Sequence, residues 1–256
     1  MITFFHALLL GIIQGLAEFL PISSSGHLVI VQELLGIEES TLSFDIFLHV
    51  GSLVAVFIVF WRDIKNLILH PISKTMLLLI VGTIPAVFMG FFLNDLFEAL
   101  FASLIAVSCF LVLTGILLWI SDKFHGERSI EELSIVDAII VGLFQGIAIA
   151  PGLSRSGSTI FGSLLCDLKR EDAARFAFLL SIPVILGAAA KSVLGMHAEG
   201  GISISYTYII GAIVAALTGY IAIRFFIRLL SKKSLRIFSF YCWALALIVL
   251  TYVIIK

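Results

Sequence analysis

The chain has 256 residues, of which 61% are hydrophobic and 13% charged, and its formal net charge is -1. Soluble domains are about a quarter charged, so this composition excludes water as the main solvent and points to a bilayer. No segment interleaves basic with aromatic residues, which excludes nucleic acid as a partner.

The first element in chain order is an apolar helix expected over residues 2–20. It has no basic leading region and runs straight into a polar motif, so it is not expected to be a cleaved signal peptide. Gln14 and Glu18 lie four apart on one face of it. An acidic side chain at the centre of a membrane helix costs about 3 kcal/mol on insertion scales, which makes Glu18 a functional candidate by default. The structural alternative makes it only the partner of Arg155. Pro21 and the run Ser23, Ser24, Ser25, Gly26 break the helix, His27 follows, and 28–35 give a short return helix. Hydroxyls supply a nucleophile or donors, Gly26 lets backbone N–H groups turn towards an anion, and His27 can move a proton near neutral pH.

Apolar runs of membrane-crossing length, about 20 residues, follow at roughly 44–61, 75–93 and 101–120. Residues 135–165 then repeat the broken-helix pattern, with Pro151, Gly152 and Gly157 as breakers. At its tip Arg155 sits between Ser154 and Ser156, with Ser158 and Thr159 close behind. An arginine there needs an anionic partner, and its planar fork suits phosphate oxygens at a helix N-terminus. Three more runs, near 173–194, 206–227 and 237–255, bring the expected crossings to six. Cys109, Cys166 and Cys242 have no metal-ligand spacing and read as small core residues. His6, His49, His70, His125 and His197 carry no motif, although His49 falls inside an expected span.

Sliding the chain against itself by 131 positions pairs Gly11, Gln14, Gly15 and Ala17 with Gly142, Gln145, Gly146 and Ala148. Ser23, Ser25 and Gly26 then fall on Ser154, Ser156 and Gly157, and residues 82–92 resemble 211–221. The chain therefore reads as a duplication within one membrane domain, 1–256, with repeat 1 over about 1–122 and repeat 2 over about 132–256. Each repeat holds one hairpin and three crossings, and an odd number of crossings turns the second upside down. The fold expected is an all-α integral membrane protein, with six transmembrane helices plus two re-entrant helix-loop-helix hairpins in an inverted-topology repeat. Irregular backbone at membrane depth must be buried or line a wet cavity, so the two tips should meet near the midplane.

Loop charges orient this arrangement. The stretches 62–74, 121–134, 166–175 and 224–236 carry thirteen of the sixteen Lys and Arg. The opposite loops, 36–43 and 93–100, hold Glu38, Glu39, Asp95 and Glu98 but no Lys or Arg, which places them and both termini outside. Together the two tips offer one cation, one carboxylate, one imidazole, several hydroxyls and N–H donors, an inventory suited to phosphoryl transfer. The second copy has Ile149 where the first has Glu18, and Arg155 where the first has Ser24. The first copy is thus specialised for catalysis and the second for holding an anion.

QGLAE (14–18), PISSSGH (21–27) and PGLSRSGST (151–159) closely resemble the motifs of the undecaprenyl-diphosphatase family, the bacitracin-resistance membrane phosphatases. The resemblance extends over the whole chain in length, span count and repeat. It implies hydrolysis of undecaprenyl diphosphate to undecaprenyl phosphate and inorganic phosphate, which recycles the lipid carrier of cell-wall synthesis in the bacterial inner membrane. It further implies a site opening to the outer side and a divalent cation, Mg²⁺ or Ca²⁺, as cofactor. By position, Glu18 and Gln14 match the acidic metal-binding or nucleophile-activating motif. Ser24 matches the nucleophile, His27 the essential histidine and Arg155 the phosphate-binding arginine, flanked by Ser154, Ser156 and Thr159. Ser23 and Ser25 join them as phosphate-binding candidates. Gln14 stands where many members have Glu, and an amide is a weak ligand, so the metal is expected on Glu18 together with the diphosphate oxygens.

In the mechanism this implies, Ser24 attacks the terminal phosphorus and Glu18 or His27 takes its proton; His27 as nucleophile is the variant. The expected partners are undecaprenyl diphosphate, membrane lipids and a second copy of the chain in a homodimer. The rival function is transport of a polyprenyl phosphate or other anion, because inverted repeats with broken helices also build secondary transporters. Glu18 and His27 favour the enzyme, since a carrier needs neither a proton shuttle nor a catalytic metal.

Overall fold

A computed structural model describes residues 2–37, 42–198, 205–230 and 234–256, the side chains of residues 42 and 195–198 excepted. Glu38, Glu39, Lys232 and Lys233 lie outside the described residues, as does the side chain of His197. The described chain is helical: α1 Phe4–Phe19, α2 Ser24–Leu34, α3 Leu42–Val59, α4 Trp61–Leu69, α5 Lys74–Phe92, α6 Asn94–Phe101, α7 Leu104–Ser121, α8 Ile135–Ile147, α9 Arg155–Leu165, α10 Arg170–Ala198, α11 Tyr206–Leu230 and α12 Arg236–Ile255.

Among the described residues five helices, α5, α7, α10, α11 and α12, are long and apolar enough to cross a membrane. The remaining expected span, α3, runs into α4 through a bend of 82° at Phe60, so the crossings number six if that bent pair is one span. The stretch after residue 61, expected as a loop, is instead an amphipathic helix that buries Ile64 and Leu67. Similarly, the expected loop at 93–100 is mostly α6, which buries Phe97. Large apolar side chains stand exposed along the spans, among them Phe91, Leu217 and Leu247. Such a surface is stable against hydrocarbon and not against water.

The two short apolar helices α1 and α8 are held in matching ways. Helix α1 lies along α11 and α3, whereas α8 lies along α5. A Cβ at Gly11 would stand 2.7 Å from the Gly211 carbonyl oxygen, and one at Gly142 would stand 2.3 Å from that of Gly82. Only glycine admits so close an approach, and small residues at the contact are how helices pack without a hydrophobic drive between them. Gly11 and Gly142, like Gly82 and Gly211, are the pairs that the internal sequence match aligns.

Elsewhere α7 pairs with α12, and α9 packs on α8, α10 and α7. Phe19, at the end of α1, is fully buried against Phe178 of α10, which also meets Phe60 and Phe226. This aromatic cluster seats the tip of the first broken helix. Asp122, at the end of α7, accepts from the Leu235 N–H at 2.9 Å and pairs with Arg170 and Arg236 at 3.3 Å, tying the ends of α7, α10 and α12 together. Cys166 and Cys242 are buried as expected, but Cys109 is exposed on α7, so it is not a core residue.

Candidate active site

Each broken helix is built the same way. Leu20 ends α1, and after a short turn Ser23 caps α2, its Oγ accepting from Gly26 N–H at 3.2 Å and lying 3.3 Å from Ser25 Oγ. In the second tip Ser154 caps α9, accepting from Gly157 N–H at 3.1 Å with Ser156 Oγ at 3.2 Å. The tips press on each other: a Cβ at Gly26 would lie 3.0 Å from Gly152, and one at Gly157 would lie 3.3 Å from Pro21. Ser156 Oγ donates to the Leu20 carbonyl at 3.3 Å. Both helix N-termini therefore converge, with the first N–H groups of α2 and α9 free of intrahelical partners by the geometry of a helix start.

Glu18 sits at the centre, 5% exposed. Its Oε1 accepts from Arg155 of the second tip. Its Oε2 accepts from Ser24 Oγ at 2.6 Å and from Gln14 Nε2 at 2.9 Å. A carboxylate in this position is stabilised by the guanidinium and two further donors, the arrangement that makes a buried charge tolerable. The structure thus gathers Gln14, Glu18, Ser24 and Arg155 into one corner. Ser23, Ser25, Ser154 and Ser156 line the two caps around it, while Thr159 Oγ1 is turned back onto the Arg155 and Ser156 carbonyls.

His27 is placed apart from that corner. Its Nδ1 lies 2.7 Å from the Ser23 carbonyl and its Nε2 lies 2.7 Å from Tyr241 Oη of α12. Ser23 itself has φ 70°, one of two described non-glycine residues with positive φ. Such a residue stores roughly 1–3 kcal/mol and persists where its surroundings over-determine it.

Two side chains beside Glu18 were not singled out by sequence. His49 Nδ1 lies 2.8 Å from Gln14 Nε2 and 3.3 Å from Glu18 Oε2, and Ser52 Oγ lies 3.4 Å from Gln14 Nε2. Their signal was a polar pair three residues apart, on one face of the otherwise apolar α3. Because an ionised carboxylate can only accept, the Gln14 nitrogen must face Glu18. Gln14 Oε1 is then buried without a hydrogen-bond partner. Tyr241, 214 residues beyond His27, gave no signal at all.

The donors available to a cation here are hard oxygens: the Glu18 carboxylate and the unpartnered Gln14 Oε1. They fit Mg²⁺ or Ca²⁺ in kind. Among the described residues no group of three His, Cys, Asp or Glu side chains converges, so most ligands would come from elsewhere.

Comparison with known proteins agrees with this geometry. The family described as "Bacitracin resistance protein BacA" matches residues 7–248. The chain is 44% identical over 250 residues to the undecaprenyl-diphosphatase of Halothermothrix orenii, covering 96% of both chains. It is likewise 44% identical to the undecaprenyl-diphosphatase of Carboxydothermus hydrogenoformans and to undecaprenyl-diphosphatase 3 of Bacillus cereus, again with 96% of each chain covered.

Proposed function

This chain belongs to the bacitracin resistance protein family, and from that premise we propose how the corner between its two tips performs the family's chemistry. The protein dephosphorylates undecaprenyl diphosphate, the reaction its relatives are named for, and so returns the lipid carrier to cell-wall synthesis. The observation that carries the mechanism is the double contact of Glu18, to the Ser24 hydroxyl on one side and the Arg155 guanidinium on the other. One motif presents a nucleophile on its base and the other presents a cation.

In this reading the diphosphate enters between the helix N-termini of α2 and α9. The remaining N–H donors of Arg155, the first backbone N–H groups and the hydroxyls of Ser23, Ser25, Ser154 and Ser156 bind its terminal phosphate. Ser24 Oγ attacks the terminal phosphorus as its proton passes to Glu18 Oε2, 2.6 Å away. The bridging P–O bond breaks, and undecaprenyl phosphate leaves. The proton on Glu18 leaves with the departing undecaprenyl phosphate, which restores the carboxylate. Water then loses a proton to Glu18 as it attacks the phosphoserine, that proton returns to Ser24 Oγ as the P–O bond breaks, and inorganic phosphate is freed. His27 is not favoured as nucleophile or base, because its ring nitrogens are engaged by the Ser23 carbonyl and Tyr241 Oη and not by Glu18, Ser24 or Arg155. Glu18 and Gln14 Oε1 would hold Mg²⁺ or Ca²⁺ together with diphosphate oxygens. Such an ion neutralises phosphate charge when bound.

The same reading places the protein in the bacterial inner membrane, with both broken helices re-entrant, the repeats inverted and the site open to the outer side. The matched glycine contacts of α1 and α8 support the repeat, and the loop charges support the orientation. Transport as the principal activity is not favoured, since a carrier has no need of a hydroxyl held on a buried carboxylate.

The test is release of phosphate. Purified protein in detergent is expected to free inorganic phosphate from undecaprenyl diphosphate, with Glu18→Ala and Arg155→Ala each lowering the rate by at least about a hundredfold. Wild-type protein that binds the lipid but frees no phosphate would overturn the enzymatic reading.

A further inference from the structure

We propose that Tyr241 and His27 form a clamp that holds Ser23 in its strained backbone conformation and thereby presents Ser24 to Glu18 and the substrate phosphorus. The proposal rests on Ser24 as the attacking group. It assigns both rings as positioning residues and adds Tyr241 to the working parts of the site.

The two tips provide an internal comparison. Both capping serines accept from the N–H three residues on, at 3.2 Å for Ser23 and 3.1 Å for Ser154. Both also touch the hydroxyl two residues on, at 3.3 and 3.2 Å. Yet Ser154 makes these contacts at an ordinary φ of -68°, whereas Ser23 makes them at 70°. Capping does not require the strain, so something else in the first tip holds it.

What the first tip has and the second lacks is an imidazole. The position equivalent to His27 is Ser158. The Ser23 carbonyl accepts twice from His27, from its N–H at 3.2 Å and from Nδ1 at 2.7 Å. A carbonyl can only accept, so Nδ1 carries the proton and the neutral ring offers Nε2 as an acceptor. Tyr241 Oη, 2.7 Å from Nε2, is then the donor that fixes this tautomer and the ring's orientation. The two rings are parallel to within 3° with centroids 5.6 Å apart. The chain of contacts runs from α12 through Tyr241 and His27 to the Ser23 carbonyl, one peptide unit before the nucleophile. The first tip is strained at its capping serine and held there by an imidazole on the carbonyl; the second caps at an ordinary φ and is held instead by Thr114, which accepts from the Ser154 N–H and donates to the Gly152 carbonyl, both at 2.9 Å.

A double-mutant cycle on the full-length enzyme separates this from a merely structural or a proton-transfer role. Tyr241→Phe keeps the ring and removes the donor, and kcat is expected to fall about tenfold with a much smaller change in KM, because Arg155, Ser154 and Ser156 of the second tip stay in place. Glycine adopts positive φ freely and asparagine does so more readily than serine while keeping a capping oxygen. In a Ser23→Gly or Ser23→Asn background, Tyr241→Phe should therefore cost less than about threefold. Full activity in Tyr241→Phe alone would overturn the clamp, as would an undiminished loss in both backgrounds. Ser24→Ala is the control: activity surviving that change overturns the mechanism itself, whereas a dead Ser24→Ala with no coupling between positions 23 and 241 overturns the clamp only.

Discussion

Glu18 and Arg155 stand 137 residues apart in sequence, yet they meet in the buried corner together with Ser24. They were legible because a charge in an apolar helix is costly enough to need a reason. His49 was not, because a histidine in a span is ambiguous until its neighbours are known. Here it acts on Gln14: the amide nitrogen points to His49 Nδ1 and Glu18 together, which leaves Oε1 buried without a partner and, in the function proposed above, available to a cation. His49→Leu removes one of the acceptors that hold the amide and leaves Glu18 as the main one, so Gln14 is fixed less firmly. The expected result is about a tenfold to hundredfold weaker Mg²⁺ or Ca²⁺ affinity, read by calorimetry without turnover, with His49→Gln restoring much of it through its own carbonyl oxygen. Unchanged affinity in His49→Leu would show that the histidine does not orient Gln14.

At the scale of elements, the positions of α1, α8 and the six apolar runs followed from hydropathy and breakers, because Pro21, Pro151 and the serine-glycine runs end helices for reasons local to the sequence. The short helices α4 and α6 were not visible. Each is nine residues or fewer and mixes charged with apolar side chains, so its helicity rests on burying Ile64, Leu67 or Phe97 against neighbours that sequence alone does not place. Packing of the broken helices depends on glycine. Gly142→Ala forces a methyl group to 2.3 Å from the Gly82 carbonyl, and Gly11→Ala one to 2.7 Å from that of Gly211. Each should cost about 1–3 kcal/mol, seen as a lower thermal unfolding midpoint in detergent. Gly187→Ala, in a helical position with nothing within 4 Å of the added methyl, should be neutral or slightly stabilising. Equal midpoints for all three would refute the close-packing account.

For the whole molecule, the internal match at an offset of 131 was the most informative signal in the sequence, since it located both tips before any contact was known. What it could not provide was their division of labour in detail, because the strain at Ser23 and the contact with Tyr241 arise only when α12 is in place. The topology makes its own prediction. In a Cys109→Ser background, a thiol placed by Asp95→Cys should react with an impermeant reagent added to intact cells, and one placed by Glu127→Cys should react only after the membrane is opened. The reverse pattern would turn the protein over.

The function proposed for the two tips gives the chemistry to the first and the phosphate to the second. Rapid quenching of the enzyme during turnover of undecaprenyl diphosphate labelled in its terminal phosphate, followed by peptide mapping, tests it directly. Label is expected on Ser24; label on His27, or on any residue of the second tip, would overturn that division of labour.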